Sequence, residues 1–133
     1  RGEDSNKKLF IYHSTTSTGP WIPHDMNPVI DDSATARPAG YMVQVNDSLY
    51  RIVQKNDKSY GEAINVMKIE ELTVNSYREC FIKNIRCNSN KYSHGIHTIN
   101  GYDGMCVVDG LCREFAPLRR IWFELRNKFS VNE

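Results

Sequence analysis

Apolar and polar positions alternate along most of this chain, and the dominant reading is β. KLFIYHST reads as a strand, and Gly19-Pro20-Trp21 as a tight turn into WIPHDMNPVI, whose prolines suit an outer or edge strand. GYMVQV and LYRIVQ flank Asn46, Asp47 and Ser48, a short hairpin turn of residues that tolerate positive φ. EAINVMKIEEL is a third strand, because Ile64, Val66 and Ile69 are spaced too irregularly for a helix, and YRECFIKNI is a fourth. GIHTIN and MCVVDG form a second hairpin across GYDG. Only PLRRIWFELRNKF has helical spacing: Leu118, Ile121, Trp122, Leu125 and Phe129 share a face, with Pro117 near the start.

The predicted order is therefore two strands, four antiparallel strands, two more strands and a C-terminal helix. Such a meander fits a sandwich, a small barrel or propeller blades. Its flanking strands would leave open edges, which points to a piece of something larger. Strand parity adds one more inference. In an up-and-down meander alternate connections fall at the same end of the sheet. Arg37, Gln54, Tyr60, Glu62, His94, His97 and Asp109 then gather at one end. Loop-bearing ends of β architectures are where ligand-binding groups collect.

Composition narrows the function classes. The chain has 133 residues, enough for one domain, with 40% apolar and 25% charged residues and a net charge of +1. No global field favours nucleic acid or an anionic membrane. No segment resembles a signal peptide, and no apolar run approaches the roughly 18 residues of a spanning helix. Opening on Arg1 and the polar run RGEDSNKK, the chain reads as a processed product or a piece of a longer one. Cys80, Cys87, Cys106 and Cys112 contain no C-x-x-C spacing, so reduced, strand-packed thiols are expected ahead of a Cys80–Cys87 or Cys106–Cys112 disulfide. His94 and His97 form H-x-x-H without a third ligand nearby, and no metal site is expected. No serine–histidine–aspartate order, phosphate loop or nucleotide fingerprint occurs, and no cofactor is expected.

Individual residues then divide. Arg37 precedes Pro38 and is biased to extended backbone; its guanidinium fork suits sugar hydroxyls, phosphate or carboxylate, or a buried ion pair. Arg51, on the opposite face from Tyr50 and Ile52, is expected to hydrogen-bond to a neighbouring blade, where the meander is a propeller, rather than to touch ligand. Gln54 ends its strand with an amide suited to hydroxyl groups, and Tyr60 can stack on a sugar ring while its hydroxyl bonds; both equally suit loop scaffolding. Glu62 is a candidate acid or base, or a solvated strand end. His97 is a candidate holder of structural water, a ligand contact or an ion ligand. Asp109 precedes Gly110 and reads as a turn-forming aspartate. The basic, aromatic tail helix fits packing on the parent sheet and also a membrane surface.

Taken in order, S-T-G-P-W-x-P-H-x-x-N-P-V, A-R-P-A-G, L-Y-R-x-x-Q, Y-G-x-A, G-I-H-T-x-N and V-V-D-G resemble one family. It comprises the five-bladed propeller domains related to the amino-terminal part of plant glucosamine inositolphosphorylceramide transferases, with wider similarity to family forty-three glycoside hydrolases. The match runs from about Leu9 to Phe115. The resemblance implies a partial all-β propeller over 9–115, to which residue patterning adds a polar lead over 1–8 and an amphipathic helix and tail over 116–133. Residues 9–32 would end a third blade, 36–86 form the fourth and 95–115 begin the fifth. Catalytic carboxylates of the hydrolase-like propellers lie mainly on earlier blades, so the resemblance puts any catalytic set outside this chain. A bacterial chain of this kind is expected in the cytoplasm.

The function expected from this resemblance is a carbohydrate-recognising segment of a glycan or glycolipid biosynthesis protein, with Arg37, Gln54, Tyr60 and His97 lining the pocket. The alternatives are part of a sugar-transferring or glycosidase-like enzyme, or a structural assembly module. Expected partners are a glycan, glycolipid or sugar substrate and the remaining blades or a partner module, with no nucleic acid.

Overall fold

The computed structural model describes residue 4 and residues 6–112. Ten strands follow in order: β1 (Lys8–Leu9), β2 (Tyr12–His13), β3 (Ile22–Pro23), β4 (Ile30–Asp31), β5 (Val43–Val45), β6 (Ser48–Lys55), β7 (Ala63–Leu72), β8 (Tyr77–Ile85), β9 (Ile99–Tyr102) and β10 (Met105–Val108). Strands β5 to β8 form one antiparallel meander in chain order, while β1 pairs with β4, β2 with β3 and β9 with β10.

Turn chemistry sets both hairpins. Val45 pairs with Ser48 across Asn46-Asp47, and Asn46 takes a φ of 51°. Tyr102 pairs with Met105 across Asp103-Gly104, whose φ values of 47° and 75° are the pair a primed hairpin turn requires. Central position explains the burial of the long strands. β6 buries Arg51, Ile52, Val53 and Gln54 in succession, as a strand covered on both faces must, whereas the outer strand β5 stays exposed.

The core joins the meander to the β9–β10 hairpin. Ala39, Ile52, Ile64 and Ile96 are buried together, with Val66, Ile85, Cys87 and Ile99 packed against them. Burying one such aliphatic side chain contributes about 1.5–3 kcal/mol. Two backbone bonds hold the hairpin's approach: Ile96 N–H donates to Gly61 O at 3.0 Å, and Ile99 N–H to Ala39 O at 2.9 Å. Gly40 permits the second, since a Cβ there would lie 2.0 Å from Ile99 O.

Polar side chains replace backbone ladders elsewhere. The Asn27 amide accepts from Ile11 N–H at 2.8 Å and donates to Ile11 O at 2.7 Å, as a strand partner would. Buried His24 accepts at Nδ1 from Met26 N–H (3.1 Å), so Nε2 carries the proton and donates to Thr73 O at 3.0 Å. The PHDMNPV motif is thus a corner pinned to the β7–β8 turn.

Arg51 is buried on β6 and forks onto Glu79 of β8, Nε to Oε2 at 2.8 Å and Nη2 to Oε1 at 2.6 Å. Its remaining donors reach the carbonyls of Ala36 and Thr35 at 3.3 and 2.7 Å. Tyr77 O–H donates to Glu79 at 2.5 Å, and burial first, then that bond, pushes its phenol well above the ordinary range. Arg51 therefore ties together strands of one sheet and the loop beside them; its expected reach between blades is replaced by this network.

The expected fold class, a partial propeller with a C-terminal helix, is corrected in the same way. The described residues are all-β and hold no helix, with one four-stranded sheet and three separate two-stranded pairs. Among the described residues the N-terminal flank makes only two-residue pairs, because the His24–Asn27 corner interrupts the long strands expected over 8–32, and β9 and β10 pair with each other alone. The helix expected within 116–133 lies outside the described residues. The four cysteines are free thiols, with Cys106 exposed and the others half-buried.

Candidate functional site

The loop between β6 and β7 builds the first wall. Asn56 Oδ1 accepts from Gly61 N–H at 2.8 Å, and Gly61 takes a φ of 70°, a left-handed turn that suits glycine. This throws Tyr60 beyond the sheet end with its side chain open to solvent, the residue being 56% exposed. Two neighbours hold it there. Arg37 Nη2 donates to the Tyr60 hydroxyl at 3.1 Å, and its guanidinium carbon lies 5.1 Å from the ring centroid, within cation–π range. The His97 ring lies 4.7 Å from the Tyr60 ring, centroid to centroid, tilted by 55°. Arg37 is itself steadied at Nη1 by Asn6 Oδ1.

The second wall comes from the segments flanking the β9–β10 hairpin. Asp109 Oδ1 accepts from the backbone N–H groups of His97 (2.8 Å) and Thr98 (2.6 Å), and Oδ2 lies 3.6 Å from His97 Nδ1. Leu111 and Gly95 bridge the segments, with Leu111 N–H donating to Gly95 O at 2.9 Å. Gly95 also lets the walls meet, because a Cβ there would lie 2.4 Å from Gly61 O. Between the walls is a cavity of about 290 Å³ whose polar and aromatic lining is Tyr60, His97 and Asp109. His97 Nε2 is closed to solvent and has no hydrogen-bond partner among the described residues.

A family model described as "Glucosamine inositolphosphorylceramide transferase 1, N-terminal" matches residues 1–106. The chain belongs to this family. The curated protein glucosamine inositolphosphorylceramide transferase 1 of Arabidopsis thaliana is 39% identical over 80 residues, covering 59% of this chain and 10% of the relative. Its namesake from Oryza sativa subsp. japonica is 38% identical over 80 residues, covering 59% of this chain and 11% of the relative. The chain thus spans about a tenth of the length of these curated relatives. No solved structure matches it.

Within this glucosamine inositolphosphorylceramide transferase amino-terminal family member, the matched span contains Arg37, Gln54, Tyr60 and His97. The fold brings Arg37, Tyr60 and His97 into contact, but only Tyr60 and His97 line the cavity. Arg37 stands behind Tyr60 and acts by holding it. Gln54 lies apart from the lining: it is 2% exposed, its N–H donates to Arg37 O at 2.8 Å, and its Oε1 accepts from Asn56 at 3.3 Å. It anchors the root of the Tyr60 loop.

Glu62 is fixed between Arg86 (2.7 Å) and Lys55 (3.4 Å). The Arg86 hydrogen bond holds its carboxyl below the ordinary carboxylate range, which suits a permanent anion and not a proton donor. His94 lies with Nδ1 3.4 Å from Ser93 Oγ. No group of three or more His, Cys, Asp or Glu side chains could hold a metal ion among the described residues. Asp109 is the lining residue that motif reading passed over. A D-G pair after a strand reads as a turn, and only parity hinted at its place beside His97.

Proposed function

We propose that this chain is a carbohydrate-recognising segment of a glycan or glycolipid biosynthesis protein, binding a sugar ring in the cavity between Tyr60, His97 and Asp109. The observation that carries this reading is the solvent-open Tyr60 ring, braced by Arg37 and His97 at the cavity. A fixed aromatic face with polar groups beside it is what a pyranose needs, an apolar face to stack on and partners for its hydroxyls. Family membership supports the ligand class, since the relatives are named for glucosamine and inositolphosphorylceramide. The parent protein would then use this segment to hold the sugar or glycolipid on which it acts.

Recognition is favoured over hydrolysis by the lining itself. Glycoside hydrolysis generally uses two carboxyl groups flanking the bond. Among the described residues the cavity is lined by one, Asp109, and Glu62 is committed to Arg86 and Lys55.

The test is titration calorimetry of the chain with methyl glucoside, glucosamine and myo-inositol. At least one should bind, and Tyr60→Ala should weaken it by about tenfold, the size of an aromatic stacking contribution near 1.4 kcal/mol. Arg37→Ala should weaken it less, because it loosens Tyr60 without removing the ring. Unchanged binding in Tyr60→Ala would sink the proposal.

A further inference from the structure

We infer that Asp109 is a specificity-determining residue of the cavity, selecting ligand groups that donate hydrogen bonds and rejecting anionic ones. This rests on the carbohydrate reading above and extends it to the class of sugar. Oδ1 of Asp109 is already occupied by the His97 and Thr98 N–H groups, which fix the carboxylate in place. Oδ2 is the oxygen left to a ligand; among the described residues His97 Nδ1 lies beside it at 3.6 Å, and the Asp109 side chain is 48% exposed. An ionised carboxylate is an acceptor only, so whatever binds there must bring an O–H or N–H group.

Charge sharpens the selection. Among the described residues, Asp109 is the one carboxylate in the lining, and no lysine or arginine lines it. The nearest guanidinium described at the site, Arg37, is engaged behind Tyr60 by the Tyr60 hydroxyl and Asn6. A ligand carboxylate or phosphate seated beside Asp109 would meet a like charge in a partly enclosed space, where charges are screened less than in bulk water. A neutral sugar would instead place a hydroxyl on Oδ2 with its ring against Tyr60.

The experiment compares methyl glucoside with methyl glucuronide, which differ by a hydroxymethyl against a carboxylate. Wild-type chain should bind the glucoside about tenfold more tightly, a modest like-charge penalty. Asp109→Asn keeps an acceptor for the two N–H groups and removes the charge; it should bring the two affinities to within about twofold. Should that variant fail to fold, the wild-type preference measured from low to high salt replaces it, and the ratio should narrow as screening grows. Two sugars binding with no preference, or a preference unmoved by the substitution or by salt, would overturn the role of Asp109 and leave the carbohydrate reading standing. Binding of neither sugar to the wild-type chain would overturn the Asp109 role; if glucosamine and myo-inositol also failed to bind, the carbohydrate reading would fall with it.

Discussion

Arg51→Ala is expected to destabilise the chain by about 3–5 kcal/mol, the cost of stranding one partner of a buried ion pair. Both side chains are almost wholly enclosed, at 4% and 7% exposure. Removing the guanidinium leaves Glu79 with only the Tyr77 hydroxyl described as a side-chain partner, and takes the donors from the Thr35 and Ala36 carbonyls. Arg51→Lys should also cost stability, because an ammonium cannot reproduce the two-pronged contact. The double variant Arg51→Met with Glu79→Leu should recover much of the loss, since replacing a whole buried pair by apolar groups is often neutral or stabilising. Urea denaturation of the four chains reads these differences. A cost below about 1 kcal/mol for Arg51→Ala would mean that the pair is far better solvated than its burial implies.

Gly40→Ala is the second large effect, at about 3 kcal/mol, the upper end of the usual overpacking cost. The added methyl would lie 2.0 Å from the carbonyl oxygen of Ile99, a backbone atom that cannot swing aside. Relief requires the hairpin to retreat. That lengthens the Ile99 N–H bond to Ala39 O and the Tyr41 N–H bond to Asn100 Oδ1, now 2.9 and 3.2 Å, and opens the core around Ala39 and Ile99. Gly101→Ala on β9 is the control, because its Cβ would meet nothing closer than Met105 O at 3.5 Å. Equal denaturation midpoints for the two variants would contradict the close approach at Gly40.

These two sites also show what alternation and motif order can convey. The strands of the meander were legible because GYMVQV, LYRIVQ, EAINVMKIEEL and YRECFIKNI carry apolar runs closed by turn residues; β5, β7 and β8 lie within those segments, and β6 runs one residue past LYRIVQ at each end. KLFIYHST and WIPHDMNPVI looked equally continuous and are not. There, His24 and Asn27 bond to backbone across the chain, and periodicity has no signature for a side chain that stands in for a ladder. The motifs that suggested a propeller are largely points of close contact: Gly40 on Ile99, Gly95 on Gly61, Arg51 on Glu79. Such contacts identify kinship, and the family match bears that out. They do not by themselves dictate how many blades surround them.

The clustering at the candidate cavity was legible in outline. Parity put Arg37, Tyr60, His97 and Asp109 at one end, and they form one contact chain. Gln54 was indistinguishable from a pocket residue by type, because burial on a central strand depends on what covers it. Arg37 could be placed near the pocket but not behind Tyr60, a distinction that rests on side-chain direction.

The most direct test of the account is where a sugar binds on the folded chain. Isotope-labelled protein titrated with methyl glucoside and followed by amide chemical shifts should show saturable changes at Tyr60, Gly61, Gly95, His97 and Asp109, with the buried β6–β8 network around Arg51 unmoved. No saturable shift, or shifts confined to the open face of β5 and β10, would contradict the placement of carbohydrate recognition at this cavity.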